Sequence, residues 1–425
     1  MQLFFKMCCL KINLVPKLTT FQFPLKEFAL LIFIFCILSN SSAFSRGKRI
    51  GTLPFEMVGT YMIVKVRFND SKPLNLILDS GVRNIIVTEL FPEDVISLSY
   101  INEINLQGLG SGKDLNAYAS YNNTIQMGKL KLNNQNIYVT KEDIFNLSKH
   151  TGSKINGLIG VDIFEDYLVE INYTYKRINF YLSEGFKFPK GYQKLPITVE
   201  SKKMYVQLSV LEHDTVHQNV KMLIDTGAEL NAWFQTFTAN AIHLPDKGVR
   251  GRIGQGLNGE VTGKFARIPK ICFAEFCLDN PIVAFPDSAD IADIILSSNR
   301  DGTIGSQLLS RFNIYLDYKN KFFYFKPNGS FKNPFTYNIA GIEIGQIIPF
   351  IPQTEVLYVW KNSPAEQAGI LIGDQIIELN GIKTYQMQMS ELKNYFETSS
   401  KHPLHITMIR DGKEIKLKID MNSKL

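Results

Sequence analysis

Two aspartates carry the chemical content of this chain. Asp79 ends the apolar run Leu74-Asn-Leu-Ile-Leu78 and leads into Ser80-Gly81, while Asp225 ends Val220-Lys-Met-Leu-Ile224 and leads into Thr226-Gly227. A glycine two positions after each carboxylate lets a backbone amide approach it closely. Two carboxylates held together can drive hydrolysis without a metal or a covalent nucleophile, because one removes a proton from water while the other protonates a carbonyl oxygen. They cannot both be charged, so they share one proton over an acidic range and titrate as a pair.

The elements that must position this pair form an internal repeat. Asp79-Ser-Gly81, Gly108-Leu-Gly110, the hairpin Ile125-Gln-Met-Gly-Lys-Leu130 and Gly157-Leu-Ile-Gly160 recur in the same order. Their counterparts are Asp225-Thr-Gly227, Gly254-Gln-Gly256, Ile271-Cys-Phe-Ala-Glu-Phe276 and Gly302-Thr-Ile-Gly305, and the spacing holds to within a single residue. Each copy closes on a similar tail, Tyr167-Leu-Val-Glu-Ile-Asn-Tyr173 and Phe312-Asn-Ile-Tyr-Leu-Asp-Tyr318. Between these landmarks lie short runs of β-branched and aromatic residues broken by Asn-Asn, Asn-Gly and Gly-Lys turns, which predicts mainly β structure. Helical periodicity is confined to Val161–Tyr167 and Ser306–Phe312.

With these marks the chain resembles the pepsin and retropepsin superfamily of aspartic peptidases in its two-lobed, single-chain form, over roughly residues 50 to 335. A lone Asp-Thr-Gly is a weak signal, but two in register with two apolar-Gly turns are specific. The resemblance implies a fold of two β-barrel lobes, 50–186 and 187–335, with a polypeptide substrate in the cleft between them. It implies Asp79 and Asp225 as the catalytic pair and no cofactor or metal. It also implies that the Ser80 and Thr226 hydroxyls bond across the lobe junction, with Gly81 and Gly227 keeping the carboxylates coplanar. Gly108, Gly110 and Gly112, and in the second copy Gly254 and Gly256, fall where the family carries its substrate-covering flap. In the second lobe an ordinary hairpin tip is the preferred reading. After the first triplet come Val82 and Arg83, where pepsin-like members usually have small or hydroxyl residues.

From about Thr336 the pattern changes. Ser363-Pro-Ala-Glu-Gln-Ala-Gly-Ile-Leu-Ile-Gly-Asp-Gln-Ile-Ile-Glu-Leu-Asn-Gly381 is similar to the centre of a bacterial PDZ domain, assigned to 336–425 as an α+β unit. Ser363-Pro364 starts a short helix, Gly369 ends it, and Asn380-Gly381 makes a tight turn. A second helix is expected near Met389–Phe396. The resemblance implies binding of an extended peptide, often a chain terminus, along a sheet edge. The segment Gly341, Ile342, Glu343, Ile344, Gly345 is the place for the amides that face such a ligand's carboxylate, with an ordinary strand as the alternative.

The remaining features bound the function. The 425 residues allow two or three domains, and 45% hydrophobic with 20% charged residues excludes a disordered chain. The net charge of +6 is spread without basic runs, so nucleic acid is not an expected partner. No His-Glu-x-x-His or Gly-x-Ser-x-Gly pattern points to a zinc peptidase or a serine hydrolase. Lys6, Lys11, Lys17 and Lys26 precede the apolar stretch Phe28–Leu38 and the polar run to Ala43, which reads as an export signal over residues 1–43. A periplasmic or secreted protein with no membrane span after cleavage follows, with an uncleaved anchor as the alternative. Removal of that signal leaves Cys272 and Cys277, opposite each other across a hairpin turning at Ala274-Glu275; a disulfide and a reduced pair are equally compatible with that spacing. The rival to a peptidase is a non-catalytic peptide-binding protein of the same fold.

Overall fold

The computed structural model describes residues 47–106, 115–212, 214–238, 241–256, 259–290, 299–346 and 351–425. The expected export segment and Gly108, Gly110 and Gly112 lie outside the described residues. The chain is mainly β. Among the described residues its strands form three sheets, of fifteen, eight and six strands. Alternation drives their formation: in Tyr61–Phe68 the side chains of Met62, Val64, Val66 and Phe68 are buried, while those of Lys65 and Arg67 are exposed.

Each sequence copy folds into the same three-strand crossing. Strand Leu74–Leu78 runs parallel to Gly157–Ile159, which pairs antiparallel with Ile85–Val87. Likewise Thr215–Ile224 runs parallel to Gly302–Ile304, which pairs antiparallel with Ala232–Phe234. The glycines of the closing turns are there because backbone passes over them. A Cβ on Gly157 would lie 2.0 Å from the Ile86 carbonyl oxygen, and one on Gly302 would lie 2.2 Å from that of Trp233.

The two similar tails pair with each other. Strand Leu168–Asn172 lies antiparallel to Phe312–Asp317 with Val169 opposite Leu316 and Ile171 opposite Ile314, so one sheet runs from the first lobe into the second. Its apolar face belongs to a core cluster spanning both lobes and including Ile171, Phe180, Ile314, Leu316, Phe323 and Phe325. The expected helical stretches are shorter than their periodicity predicts: a single 3-10 turn at Val161–Ile163 and one turn at Ser306–Leu309. Strand pairing resumes at Leu168 and Phe312 and takes the backbone groups that a longer helix needs. Cys272 and Cys277 face each other on the hairpin strands Lys270–Phe273 and Phe276–Asp279 and form a disulfide. Ala274 at that turn is left-handed, with φ 50°.

The third sheet is the C-terminal domain. The Glu366 amide donates to the Ser363 hydroxyl at 3.1 Å, capping the helix Pro364–Gln367, and Gly369 ends the segment with φ 79°. Asn380 and Gly381, both at positive φ, turn the strand Gln375–Leu379 into Ile382–Lys383. Helix Met389–Glu397 buries Met389, Leu392 and Phe396 in one cluster with Ile342 and Ile344. The connection from the second lobe is held by Arg311, whose guanidinium donates to the carbonyls of Asn333 at 2.6 Å, Phe331 at 3.2 Å and Pro334 at 3.2 Å and lies 3.8 Å from the Phe335 ring centroid.

Candidate active site

The strand ends carrying Asp79 and Asp225 meet at the lobe junction through reciprocal bonds. The Ser80 hydroxyl donates to the Ile224 carbonyl at 2.7 Å and accepts from the Thr226 amide at 2.9 Å. The Thr226 hydroxyl donates to the Leu78 carbonyl at 2.8 Å and accepts from the Ser80 amide at 3.0 Å. Both hydroxyl residues are fully buried, so these four bonds also satisfy polar groups that have no access to water. Each aspartate amide is bonded alike: Asp79 donates to Ile159 and Asp225 to Ile304, each at 3.0 Å.

Each carboxylate is aimed by its own turn. Asp79 Oδ1 accepts from the Gly81 amide at 2.7 Å; Asp225 Oδ1 accepts from the Gly227 amide at 3.0 Å and the Ala228 amide at 3.1 Å. Each glycine also makes room for the opposite carboxylate. A Cβ on Gly81 would lie 2.4 Å from Asp225 Oδ2, and one on Gly227 would lie 2.2 Å from Asp79 Cγ. Burial, then the neighbouring Asp225 carboxylate, pushes the Asp79 carboxyl well above the usual carboxylate range, against the Gly81 amide and the Lys203 ammonium, which favour its charged form. A raised carboxyl beside a second carboxylate, to which it is hydrogen-bonded, is an arrangement that holds one proton between two groups.

Several neighbours carry no recognisable motif. Burial lowers the affinity of Lys203 and Arg300 for their protons, and both feel the negative charge of Asp225. Tyr61 is half-buried, hydrogen-bonded to Glu229 and within the field of Asp79; loss of solvent first, then these negative charges, push its hydroxyl up. Tyr61 and Lys203 come from the separate strands Tyr61–Phe68 and Lys203–Glu212, Arg300 lies just before Gly302–Ile304, and Glu229 follows the Asp225 turn. Of the two residues after the first triplet, Val82 packs partly buried beside Ile63, Ile77 and Leu158, and Arg83 is exposed. The carbonyls of both accept bonds, from the Val161 amide at 3.1 Å and the Asp162 amide at 3.4 Å.

In the second lobe Gly254 and Gly256 lie on the hairpin Val249–Gly256 and Gly259–Arg267, with Gly256 opposite Gly259. A Cβ on Gly254 would meet nothing within 4 Å. The stem of this hairpin is covered by the C-terminal domain: the Trp360 ring stacks on Phe265 with centroids 5.3 Å apart, and Arg252 Nη1 donates to Glu343 Oε2 at 2.9 Å.

At the C-terminal domain the expected carboxylate-facing amides are not open. Gly341 turns the chain with φ 70°, and its amide donates to Asn338 Oδ1 at 2.9 Å, as does that of Ile342 at 3.3 Å. The Ile342 carbonyl accepts from Asn338 Nδ2 at 2.7 Å. One carboxamide thus accepts from both the Gly341 and the Ile342 amides. Ile344 and Gly345 lie on the edge strand Ile342–Gln346.

Comparison with known proteins agrees with the two kinds of unit described above. A family model for aspartyl protease matches residues 64–163 and again 207–308, and one for PDZ domain matches 355–410. Among solved structures the chain is similar to the aspartic proteinase from Irpex lacteus, with 15% identity over 67% of this chain and 98% of that one and a TM-score of 0.39. No curated protein matches it. Each half of the repeat contains one of the paired aspartates and one aspartyl-protease match, and the PDZ match follows them towards the C-terminus.

Proposed function

We propose that this chain is an exported aspartic endopeptidase, acting in the periplasm or after secretion, that hydrolyses peptide bonds with a water activated between Asp79 and Asp225. The observation that carries this reading is the mutual fit of the two turns: each glycine leaves the space that the opposite carboxylate occupies, and the Ser80 and Thr226 bonds hold both turns in place. The carboxyl kept protonated donates to the substrate carbonyl oxygen, and the charged partner takes a proton from water. The tetrahedral intermediate then collapses as a proton passes to the leaving amine. The substrate is an extended polypeptide lying across the junction. The PDZ domain takes a second extended peptide or a protein C-terminus along its edge strand.

The test is a digest of a peptide library from pH 3 to pH 7, with Asp225→Asn alongside and products read by mass spectrometry. Cleavage by the wild-type chain that the variant loses supports the peptidase. A folded wild-type chain that binds peptides yet cleaves none at any pH makes it a peptide-binding protein instead.

A further inference from the structure

The PDZ groove lies between the edge strand Ile342–Gln346 and the helix Met389–Glu397, and both ends of it are engaged within the chain. At the start of the strand, Asn338 takes the amides of Gly341 and Ile342 and the Ile342 carbonyl. The two preceding amides, of Ile339 and Ala340, donate to the Phe396 carbonyl at 2.8 and 3.1 Å, which ties this loop to the last turn of the helix. At the far end a piece of the first lobe enters. A Cβ on Gly345 would lie 2.8 Å from the carbonyl oxygen of Lys149, in the helix Leu147–Thr151. Gly152, which ends that helix with φ 68°, faces both walls: a Cβ there would lie 3.1 Å from Gln346 Nε2 and 3.4 Å from the Met389 Cβ. An ion pair between Lys149 and Glu355, at 3.2 Å, fixes the contact from the side.

This first-lobe segment is not a loose strap. The Ser148 hydroxyl donates to Glu89 Oε2 at 2.5 Å and accepts from the Ile155 amide at 3.1 Å, and Leu147 packs against the cluster of Ile63, Ile77 and Leu158. A peptide that runs along the edge strand to its Gln346 end meets Gly152 standing between Gln346 and Met389, so room is made by moving the PDZ domain off the lobes. That movement also breaks the Arg252–Glu343 pair and the Trp360–Phe265 stack, which hold the second-lobe hairpin. Through Arg252 the hairpin is electrostatically linked to Tyr61, which is bonded to Glu229 and lies within the field of Asp79.

We infer that the PDZ domain is a latch closed in cis: the first-lobe segment 149–152 fills the Gln346 end of its groove, so that peptide binding to the PDZ domain and its docking on the two lobes exclude each other. Ligand capture thereby releases the hairpin of Val249–Gly256 and Gly259–Arg267, whose Arg252 acts electrostatically on Tyr61. This inference rests on the PDZ domain taking an extended peptide, as proposed above.

The full-length chain with Asp225→Asn, which cannot cleave the probe, tests it. The probe is a fluorescein-labelled octapeptide with a free carboxylate and Val as its last residue. Its affinity is compared with that for the same chain carrying Lys149→Glu and Arg252→Glu, both in the lobes and outside the PDZ domain. Each reversal turns a docking ion pair into a repulsion, so the reversed chain is expected to bind about tenfold more tightly. Adding Glu355→Lys and Glu343→Arg is expected to restore docking and the weaker binding. Hydrogen exchange on the unreversed chain gives an independent reading should the reversed chain fail to fold: saturating probe is expected to protect 342–346 and to speed exchange across 249–267. Equal affinities with unchanged hairpin exchange overturn the latch while leaving the PDZ domain a peptide binder. A probe that binds neither chain overturns the peptide-binding reading and the latch with it.

Discussion

Ser80 and Thr226 bond each other's strands symmetrically: the amide of each donates to the hydroxyl of the other, at 3.0 and 2.9 Å, and each hydroxyl donates to a carbonyl of the opposite lobe. The lobes are thus tied together at the turns that carry the aspartates, so stability and catalytic geometry depend on the same four bonds.

Replacing Ser80 with Ala removes two of them and leaves the buried Thr226 amide and Ile224 carbonyl without those partners. A buried polar group left unpaired costs about 1–3 kcal/mol, so Ser80→Ala is expected to lower the urea midpoint by a corresponding amount, whereas Ser80→Thr keeps the hydroxyl and most of the stability. A Ser80→Ala chain as stable as wild type in equilibrium urea unfolding would count against the grip.

Gly227→Ala tests the closeness of the turns. Its methyl group would sit 2.2 Å from Asp79 Cγ, a separation that no rotamer change at the alanine relieves. Overpacking of this kind costs about 1–3 kcal/mol, and the displaced carboxylates lose concerted proton transfer, for which a drop of about a hundredfold or more in kcat is expected. The check is kcat on a cleaved library peptide beside a thermal melt, and an active Gly227→Ala chain would mean that the pair tolerates separation.

Asp79 makes a signed prediction about pH. Its carboxyl is raised in the folded chain, by burial first and by Asp225 second, above the value of about 3.9 of an unfolded Asp. Between those two values the folded state holds a proton that the unfolded state has released. The associated stability is complete below the unfolded value and is lost as pH rises through the folded one. Asp79→Asn cannot acquire the charge and is expected to be inactive yet more stable than wild type at pH 7, with the difference shrinking towards pH 3. Urea midpoints at the two pH values decide it; a variant less stable at pH 7 contradicts the assigned shift.

Arg311→Ala addresses the connection to the PDZ domain. The substitution removes the donor from the linker carbonyls of Ser330, Phe331, Asn333 and Pro334 and the cation from the face of Phe335. The segment 328–336 is expected to become a preferred cleavage site for an added protease, at least severalfold faster than in wild type, with lobe stability changing less. Unchanged digestion of this segment on a gel time course would show that Phe331 and Phe335 hold it by packing alone.

The paired aspartates, the repeat and the PDZ core were readable in the chain because each rests on local chemistry. A carboxylate at the end of an apolar strand, glycines under crossing backbone, and Ser363-Pro364 at a helix start are constrained within a few residues, and the repeat states those constraints twice. The matching tails carried a further meaning: they pair with each other, since equivalent strands of two similar lobes meet at their shared axis. Tertiary structure alone decided what surrounds the site. Tyr61, Lys203 and Arg300 have no common motif, and segments far apart in sequence bring them to Asp79 and Asp225. Tertiary structure also tied the Ile339 and Ala340 amides to the Phe396 carbonyl and set Gly152 against the PDZ groove. Docking between domains depends on shape and charge over whole surfaces, and no short stretch of sequence encodes that.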